Sequence, residues 1–190
     1  MTFDDAKRAA AFRKALARRT GRKARASGNR FEAVVEAAHA RYAAETRALI
    51  YKRPTPVKPI SGGSPFRAVW QEKAGADYGG VLHGGRAVLV EVKSSSTAAI
   101  PLKRRGKPTV GPKQVRELAT ADALGAIAGV LVAVSPAAGE RWFWLPWLRW
   151  LAAVDDAEAQ GRASLGCELL EAHGFEVPPG DWLAAVEVSP

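Results

Sequence analysis

Cysteine is almost absent from this chain of 190 residues, and its scarcity excludes several classes of protein. Cys167 is the only cysteine, so the chain can form neither a disulfide framework nor a cysteine-based zinc site. We interpret Cys167 as a small buried hydrophobic residue. Histidine is also rare, and the scattered positions of His39, His83 and His173 give none of them a catalytic role.

Long hydrophobic runs are missing as well, because no stretch approaches the length of a transmembrane helix. The opening residues, Met1 to Asp5, do not resemble a secretory signal, and Asp4 and Asp5 argue against a mitochondrial presequence. We therefore expect a protein of the reducing cytoplasm that does not contact a membrane. The length and the hydrophobic content of 47% predict one globular domain with a core of its own.

Acidic residues are scarce in residues 1–113, which contain 24 Lys and Arg but only 8 Asp and Glu. Residues 114–190 reverse this balance with 4 basic and 11 acidic residues, so the two regions carry charges of +16 and −7. This asymmetry predicts that the first region meets a polyanion, although a solvated N-terminal tail is an alternative. The predicted phosphate-contacting residues are Arg18, Arg19, Arg22, Lys23, Arg25, Arg30, Lys52, Lys58, Arg67, Lys103, Arg104, Arg105 and Lys107.

The segment from Gly75 to Lys93 has the pattern of two β-strands joined by a glycine turn. Valines alternate with other residues along the second strand, which places Glu91 and Lys93 on one face. The pair Gly84-Gly85 marks the turn of the hairpin. An apolar strand seldom carries a carboxylate and an ammonium on one face without a task for them, so this hairpin is the first candidate for a functional site.

The length of the hairpin loop decides how Asp77 and Glu91 are placed. A loop of two residues would pair Asp77 with Val92 and turn its side chain away from Glu91. A loop of three residues, or a bulge, would place Asp77 opposite Glu91, roughly 5 Å away. Two carboxylates at that separation repel each other unless a cation lies between them. Oxygen ligands favour Mg²⁺, with Mn²⁺ as a substitute.

An Asp followed by Glu-x-Lys on a neighbouring strand is the order found in PD-(D/E)xK nucleases, although the proline is absent here. The bare spacing is weak, and a surface hairpin with a solvated ion pair between Glu91 and Lys93 is the alternative. The basic charge of residues 1–113 favours the nuclease.

The remaining periodicity predicts a mixed α/β fold, in which a central β-sheet flanked by helices carries the metal site. Residues 53–65 are rich in proline and glycine and are expected to contain no regular helix, and residues 98–112 are expected to form a basic connection punctuated by proline and glycine. The tryptophans near residues 142–150 are expected to pack in a core or a dimer interface. Helices are predicted at 28–49, with Ser27 as N-cap, from Pro112 to Leu124 and at 164–173. Strands are predicted from Leu49, from Phe66 to Gln71, from Ala128 to Val134 and from Arg141 to Pro146.

Several motifs in the same order resemble the RecU family of Holliday junction resolvases, over most of residues 28–188. Two departures stand out: Gly75 and Ala76 occupy positions where the family usually carries threonines, and the segment from Ile60 to Trp70 is shorter than the family's protruding stalk. The hydroxyl of Ser94 or Ser95 is a possible replacement for those threonines. The resembling segments are Gly28–Glu32, Tyr51–Val57, Asp77–Val81, Glu91–Lys93, Ile100–Lys103 with Gln114, Gly161–Ser164 and His173–Pro178.

The resemblance implies a restriction-endonuclease-like core and a metal-dependent endonuclease that resolves four-way DNA junctions by paired symmetric nicks. It implies that Asp77 and Glu91 hold the metal, with the Val92 carbonyl and Glu32 as further ligands. Lys93 would orient water or neutralise charge, and Gln114 would hold water or phosphate. Glu32 as a solvated carboxylate and Gln114 as a surface residue are the alternatives.

The domain organisation expected from these patterns is a basic, flexible DNA-binding segment over residues 1–27 followed by a single nuclease domain over residues 28–190. Because a four-way junction presents two equivalent strands, we expect a homodimer in a bacterial or phage-encoded system, with branched DNA and no small molecule as substrate. Two other hypotheses stay open. One is a nuclease of the same superfamily acting on other branched or linear DNA, and the other is a DNA-binding recombination accessory protein with an idle metal site.

Overall fold

The computed structural model describes residues 28–54, 57–60, 67–70 and 75–187 of the chain. The N-terminal segment predicted to bind DNA, residues 1–27, lies outside these ranges, and so does the predicted cap Ser27. The side chains of Lys58 and Arg67 also lie outside the description.

A six-stranded mixed sheet forms the centre of the fold. Its order is β1 (Ala48–Lys52), β4 (Tyr78–Leu82), β5 (Ala87–Ser94), β9 (Ile127–Val134), β10 (Arg141–Pro146) and β12 (Phe175–Val177). Strands β5 and β9 run parallel, and all the other neighbouring pairs are antiparallel. Three small antiparallel pairs accompany the sheet: β2 (Val57–Ile60) with β3 (Arg67–Trp70), β6 (Ala99–Pro101) with β11 (Ser164–Gly166), and β7 (Lys103–Arg104) with β8 (Lys107–Pro108).

Helices cover both faces of the central sheet, so the predicted mixed α/β fold is confirmed. They are α1 (described over 28–44), α2 (Pro112–Ala123), α3 (Trp147–Ala159), α4 (Cys167–His173) and α5 (Leu183–Glu187). Helix α2 lies in the connection between β5 and β9, as a parallel pair requires a crossover rather than a tight turn. No helix within the described ranges is long and apolar enough to cross a membrane.

Two hydrophobic cores lie on opposite faces of the sheet. The first packs α1 and α5 against the valines of β5, with Val35 and Val90 completely buried. The second packs α2, α3 and α4 against the other face, with Leu118 and Leu170 completely buried. The predicted alternation along β5 is therefore confirmed, because its valines belong to the first core and Leu89 packs against the second. The buried tryptophans, which pack in these cores as expected, are Trp142, Trp144, Trp147, Trp150 and Trp182.

Several predicted boundaries differ from the structure. The first helix ends at residue 44 rather than 49, because Thr46 adopts a positive φ of 55° and turns the chain into β1. The helix predicted at 164–173 begins only at Cys167, since Ser164–Gly166 pairs with β6 as a short strand. Cys167 is half-buried rather than buried, and its thiol donates to the Ala98 carbonyl at 3.5 Å.

Candidate active site

The hairpin between β4 and β5 has a three-residue loop, His83-Gly84-Gly85, closed by a hydrogen bond from Leu82 N to the Arg86 carbonyl at 2.9 Å. Both glycines have positive φ, 84° and 89°, a conformation that residues with a Cβ rarely adopt. Tyr78 consequently pairs with Val90, which sets the preceding Asp77 opposite Glu91. Of the two alternatives left open by the sequence, the structure has the one that brings these carboxylates together.

Each of the two carboxylates, Asp77 and Glu91, accepts a hydrogen bond from a backbone amide at or next to the other residue. The amide of Asp77 donates to Glu91 Oε2 at 3.2 Å, and the amide of Val92 donates to Asp77 Oδ2 at 3.1 Å. Each carboxylate is therefore held by backbone as well as by its own side-chain torsions, which limits how far either can move.

Glu91 is completely buried, and donors surround its carboxylate. Its Oε1 accepts a hydrogen bond from Gln114 Nε2 at 2.5 Å and another from the Lys93 ammonium. Burial raises the pKa of Glu91 to about 7, the nearby Lys93 opposes this rise in pKa, and Asp77 adds to it. A carboxylate removed from water needs such donors if it is to remain charged.

A cleft of about 590 Å³ opens in front of these strands. Glu32, Asp77, Val92 and Lys93 line it, so the structure brings together four of the predicted site residues. The serine-rich loop of residues 94–97 also lines it. Glu91 is buried and Gln114 is 5% exposed, and neither lines the cleft.

Glu32 lies on α1 and holds Lys52 at the end of β1. Lys52 Nζ is 2.8 Å from Glu32 Oε2 and 3.0 Å from Glu36 Oε1. Both carboxylates raise the pKa of Lys52. Lys52, which the sequence suggested as a phosphate contact, is thus engaged by two acidic side chains in this structure.

The basic residues of the β7–β8 hairpin lie on the surface beside the cleft. Lys103, Arg104, Arg105 and Lys107 are all exposed. Arg104 lines the cleft, and its Nη2 donates to the Ser94 carbonyl at 2.8 Å, which fixes the hairpin to the end of β5. Arg30 is also exposed, on α1.

Sequence reasoning missed two charged residues that contact the segment around Asp77, just before β4. Glu117 on α2 accepts a hydrogen bond from the amide of Ala76 at 2.7 Å and pairs with Arg53 at 2.5 Å. One pattern in the sequence could have indicated Glu117. It follows Gln114 by three residues, which places both side chains on one face of a helix.

The donor set fits the oxygen ligands that a hard divalent cation prefers, because Asp77 lines the cleft beside Val92 and its amide contacts the buried carboxylate of Glu91 directly behind it. Within the described part of the chain, no three His, Cys, Asp or Glu side chains converge on one point where an ion could be held. An ion at this site would therefore rely on the two carboxylates together with backbone oxygen.

A mixed sheet that holds two facing carboxylates and a lysine beside a cleft with basic residues at its rim is an arrangement typical of an endonuclease. The chain matches the RecU family, described as Recombination protein U, over residues 26–184, and it belongs to that family. The resemblance to the RecU-type Holliday junction resolvases, recognised from the ordered motifs, is confirmed.

Comparison with curated proteins finds no match. Among solved structures, the chain is similar to Hjc of Archaeoglobus fulgidus, a Holliday junction resolvase from an archaeal hyperthermophile. The two are 19% identical, the match covers 64% of this chain and 78% of that chain, and the TM-score is 0.35.

Proposed function

We propose that this protein is a Mg²⁺-dependent, structure-specific endonuclease that resolves four-way DNA junctions as a homodimer. The observation that carries the proposal is the hairpin register, which sets Asp77 opposite Glu91 with Lys93 on the same strand face. Membership of the RecU family supports the same reaction.

Asp77 and Glu91 would hold the ion together with the carbonyl of Val92, and Glu32, which lines the same cleft without converging on them, would contribute through a water molecule. A bound divalent cation polarises the scissile phosphate and lowers the pKa of a water molecule beside it. Lys93 lines the cleft and contacts Glu91, so its ammonium is in place to orient that water or to neutralise charge on the phosphate.

Gln114 is better assigned to holding Glu91 than to touching water or phosphate. Its amide nitrogen donates a hydrogen bond to Glu91 Oε1, and its amide oxygen accepts a hydrogen bond from Gly111 N at 2.8 Å. One N–H and the oxygen of the amide are therefore used inside the protein, and Gln114 is only 5% exposed. We propose that Gln114 sets the orientation of the Glu91 carboxylate.

Phosphate contacts outside the reacting group would come from the β7–β8 hairpin, with Arg104 nearest to the cleft. The segment 1–27 remains a predicted DNA-binding segment on the strength of its charge alone. The proposal also includes a location, the cytoplasm of a bacterium, where the DNA substrate lies. The protein would be encoded by the bacterium or by a phage.

A homodimer follows from the symmetry of the substrate. Two strands of a four-way junction are equivalent by a twofold axis, and one active site per subunit would cut both at equivalent positions. We expect a dimer by sedimentation at micromolar concentration. A monomer that still resolves junctions at the full rate would contradict this part of the proposal.

The experiment that tests the function compares a labelled synthetic four-way junction with a linear duplex of the same sequence, with and without Mg²⁺. We expect paired nicks at symmetric positions in the junction, with ligatable 5′-phosphate ends, that require Mg²⁺ or Mn²⁺. Equal cutting of the linear duplex would indicate a general nuclease. Junction binding with no cutting under any divalent cation would indicate an accessory protein.

A further inference from the structure

Glu117 and Arg53 form a set of contacts, here called the Glu117–Arg53 brace, around the residues that lead into Asp77. Glu117 Oε2 accepts a hydrogen bond from the amide of Ala76 at 2.7 Å, and Glu117 Oε1 pairs with Arg53 Nη1 at 2.5 Å. The amide of Arg53 donates to the carbonyl of Asp77 at 2.8 Å. Ala76 and Asp77 are thereby held from two sides.

Helix α2 contacts both β5, which carries Glu91, and the segment that leads into β4, which carries Asp77. Gln114 and Glu117 are three residues apart, and the first holds Glu91 while the second holds the segment before Asp77. Leu118 is completely buried on the same helix and anchors it in the second core. The separation of the two carboxylates therefore depends on where one rigid helix is packed.

Two glycines leave room for the brace. A Cβ on Gly75 would lie 1.3 Å from Glu117 Oε2, so no other residue allows Glu117 to take its observed position. A Cβ on Gly79 would lie 3.3 Å from Arg53 Cδ, which is closer than most contacts of this kind. Gly75 and Gly79 therefore leave the space that the side chains of Glu117 and Arg53 occupy.

Stability alone is a weak reason for such a brace. The side chains of Arg53 and Glu117 are each 31% exposed, and ion pairs with this much contact with water contribute little to folding. Ala76, in contrast, is only 1% exposed, and Glu117 accepts the hydrogen bond from its amide. The hydrogen bond from this buried amide fixes the backbone next to Asp77.

We propose that Glu117, braced by Arg53, is a positioning residue for Asp77. Neither Gly75 nor Ala76 carries a hydroxyl with which to order this segment, and Glu117 supplies the polar contact from α2 instead. The inference rests on the proposed function, since it takes Asp77 as a ligand of the catalytic ion. Residues that position metal ligands typically contribute about 10–100-fold to metal affinity or to rate.

The first test is Glu117→Ala, compared with Glu117→Gln and with Glu158→Ala, which removes the same charge from an exposed position on α3. We expect single-turnover cleavage to slow by about 10–100-fold in Glu117→Ala. The loss should be smaller in Glu117→Gln, which retains an acceptor for the Ala76 amide. Glu158→Ala should behave like wild type, and junction affinity without metal should not change. A wild-type cleavage rate in Glu117→Ala would overturn the proposal.

A double-mutant cycle with Gly75→Ala separates positioning from a general loss of structure. The new methyl group would displace Glu117, so Gly75→Ala alone should slow cleavage about as much as Glu117→Ala. The double variant should be no slower than either single variant, because both remove the same contact. Losses that multiply in the double variant would overturn the proposal.

Two measurements without DNA keep the brace distinguishable from the proposed function. Amide exchange at Ala76 should be faster in Glu117→Ala than in wild type while the fold is retained, and unchanged exchange would overturn the brace. The affinity for Mn²⁺, measured by calorimetry, should fall by about 10–100-fold in the same variant. If wild-type protein cuts no junction, the proposed function fails, while amide exchange still reports on the brace.

Discussion

The two faces of the central sheet differ in how many hydrogen-bond partners they give to a buried polar side chain. On one face, Glu91 is completely buried and accepts hydrogen bonds from Lys93, Gln114 and the amide of Asp77. On the other face, His39 is 3% exposed, and its Nδ1 has no hydrogen-bond partner among the described residues. Burial lowers the pKa of His39 to about 4.

The comparison shows what each environment favours. The surroundings of Glu91 supply donors, which partly offset the burial that raises the pKa of its carboxyl group. The surroundings of His39 are the rings of Tyr42, Tyr78 and Trp182, which favour a neutral imidazole. A buried charge with this many partners is costly to build from the standpoint of folding, so a functional role for the Glu91 face is the better explanation.

The largest loss of cleavage activity is expected when the negative charge of Asp77 or Glu91 is removed. Asp77→Asn and Glu91→Gln should each abolish cleavage, because each removes a charged ligand of the ion, while junction binding persists. These carboxylates repel DNA when no metal is present, so their loss does not weaken phosphate contacts. A gel assay of nicking and binding measures both properties, with Glu158→Gln as the control. Nicking by both purified variants at the wild-type rate would contradict the assignment.

A smaller effect is expected when only the support of Glu91 is removed. Gln114→Ala should slow cleavage by about 10–100-fold, because Glu91 loses one of the donors that orient it. Val115→Ala, at the exposed neighbouring position of α2, is the matched control and should cleave normally. Single-turnover rates measure the difference, and equal rates in the two variants would show that Gln114 does not position Glu91.

The opposite face gives a prediction about stability and pH. Since the pKa of His39 lies near 4 in the folded protein and near 6.5 when unfolded, the unfolded chain binds more protons between these values. Protonation of His39 should therefore lower the free energy of unfolding by about 3 kcal/mol as pH is lowered through this window, while the raised pKa of Glu91 acts in the opposite direction in the same protein. His39→Gln, which retains an acceptor for Trp182, should lack the His39 contribution, so its stability relative to wild type should rise as pH is lowered in denaturant titrations. The same pH dependence in both proteins would contradict this account.

The smallest expected effect lies at the rim of the cleft. Arg104→Ala should weaken junction binding at every salt concentration and make the slope of log K against log salt shallower by about one unit. Arg149→Ala, in the acidic region of the chain, should leave the slope unchanged. An unchanged slope for Arg104→Ala would mean that the β7–β8 hairpin does not contact phosphate.

The sequence predicted the carboxylate hairpin well because its signals are local. Alternation along β5 and the glycines of the turn depend on neighbouring residues, and both are seen in the structure. The loop length could not be chosen beforehand, since His83 can end a strand or begin a turn. That single residue decides whether Asp77 faces Glu91.

Contacts made by packing were beyond the reach of the sequence. Gln114 contacts Glu91 and Glu117 contacts Ala76 only because α2 packs on β9 and β5, beside the segment that leads into β4. Helix α3 was not predicted, because it follows β10 directly at Pro146 with no polar turn to announce it. The N-terminal segment, residues 1–27, stays a prediction based on charge.

Binding of Mn²⁺ to the free protein, measured by electron paramagnetic resonance, is the most direct test of the central claim that Asp77 and Glu91 form one metal site. Wild type and Glu158→Gln should bind the ion with the same affinity. Asp77→Asn and Glu91→Gln should each lose that binding while remaining folded. Retention of wild-type Mn²⁺ affinity in both of these variants would contradict the account.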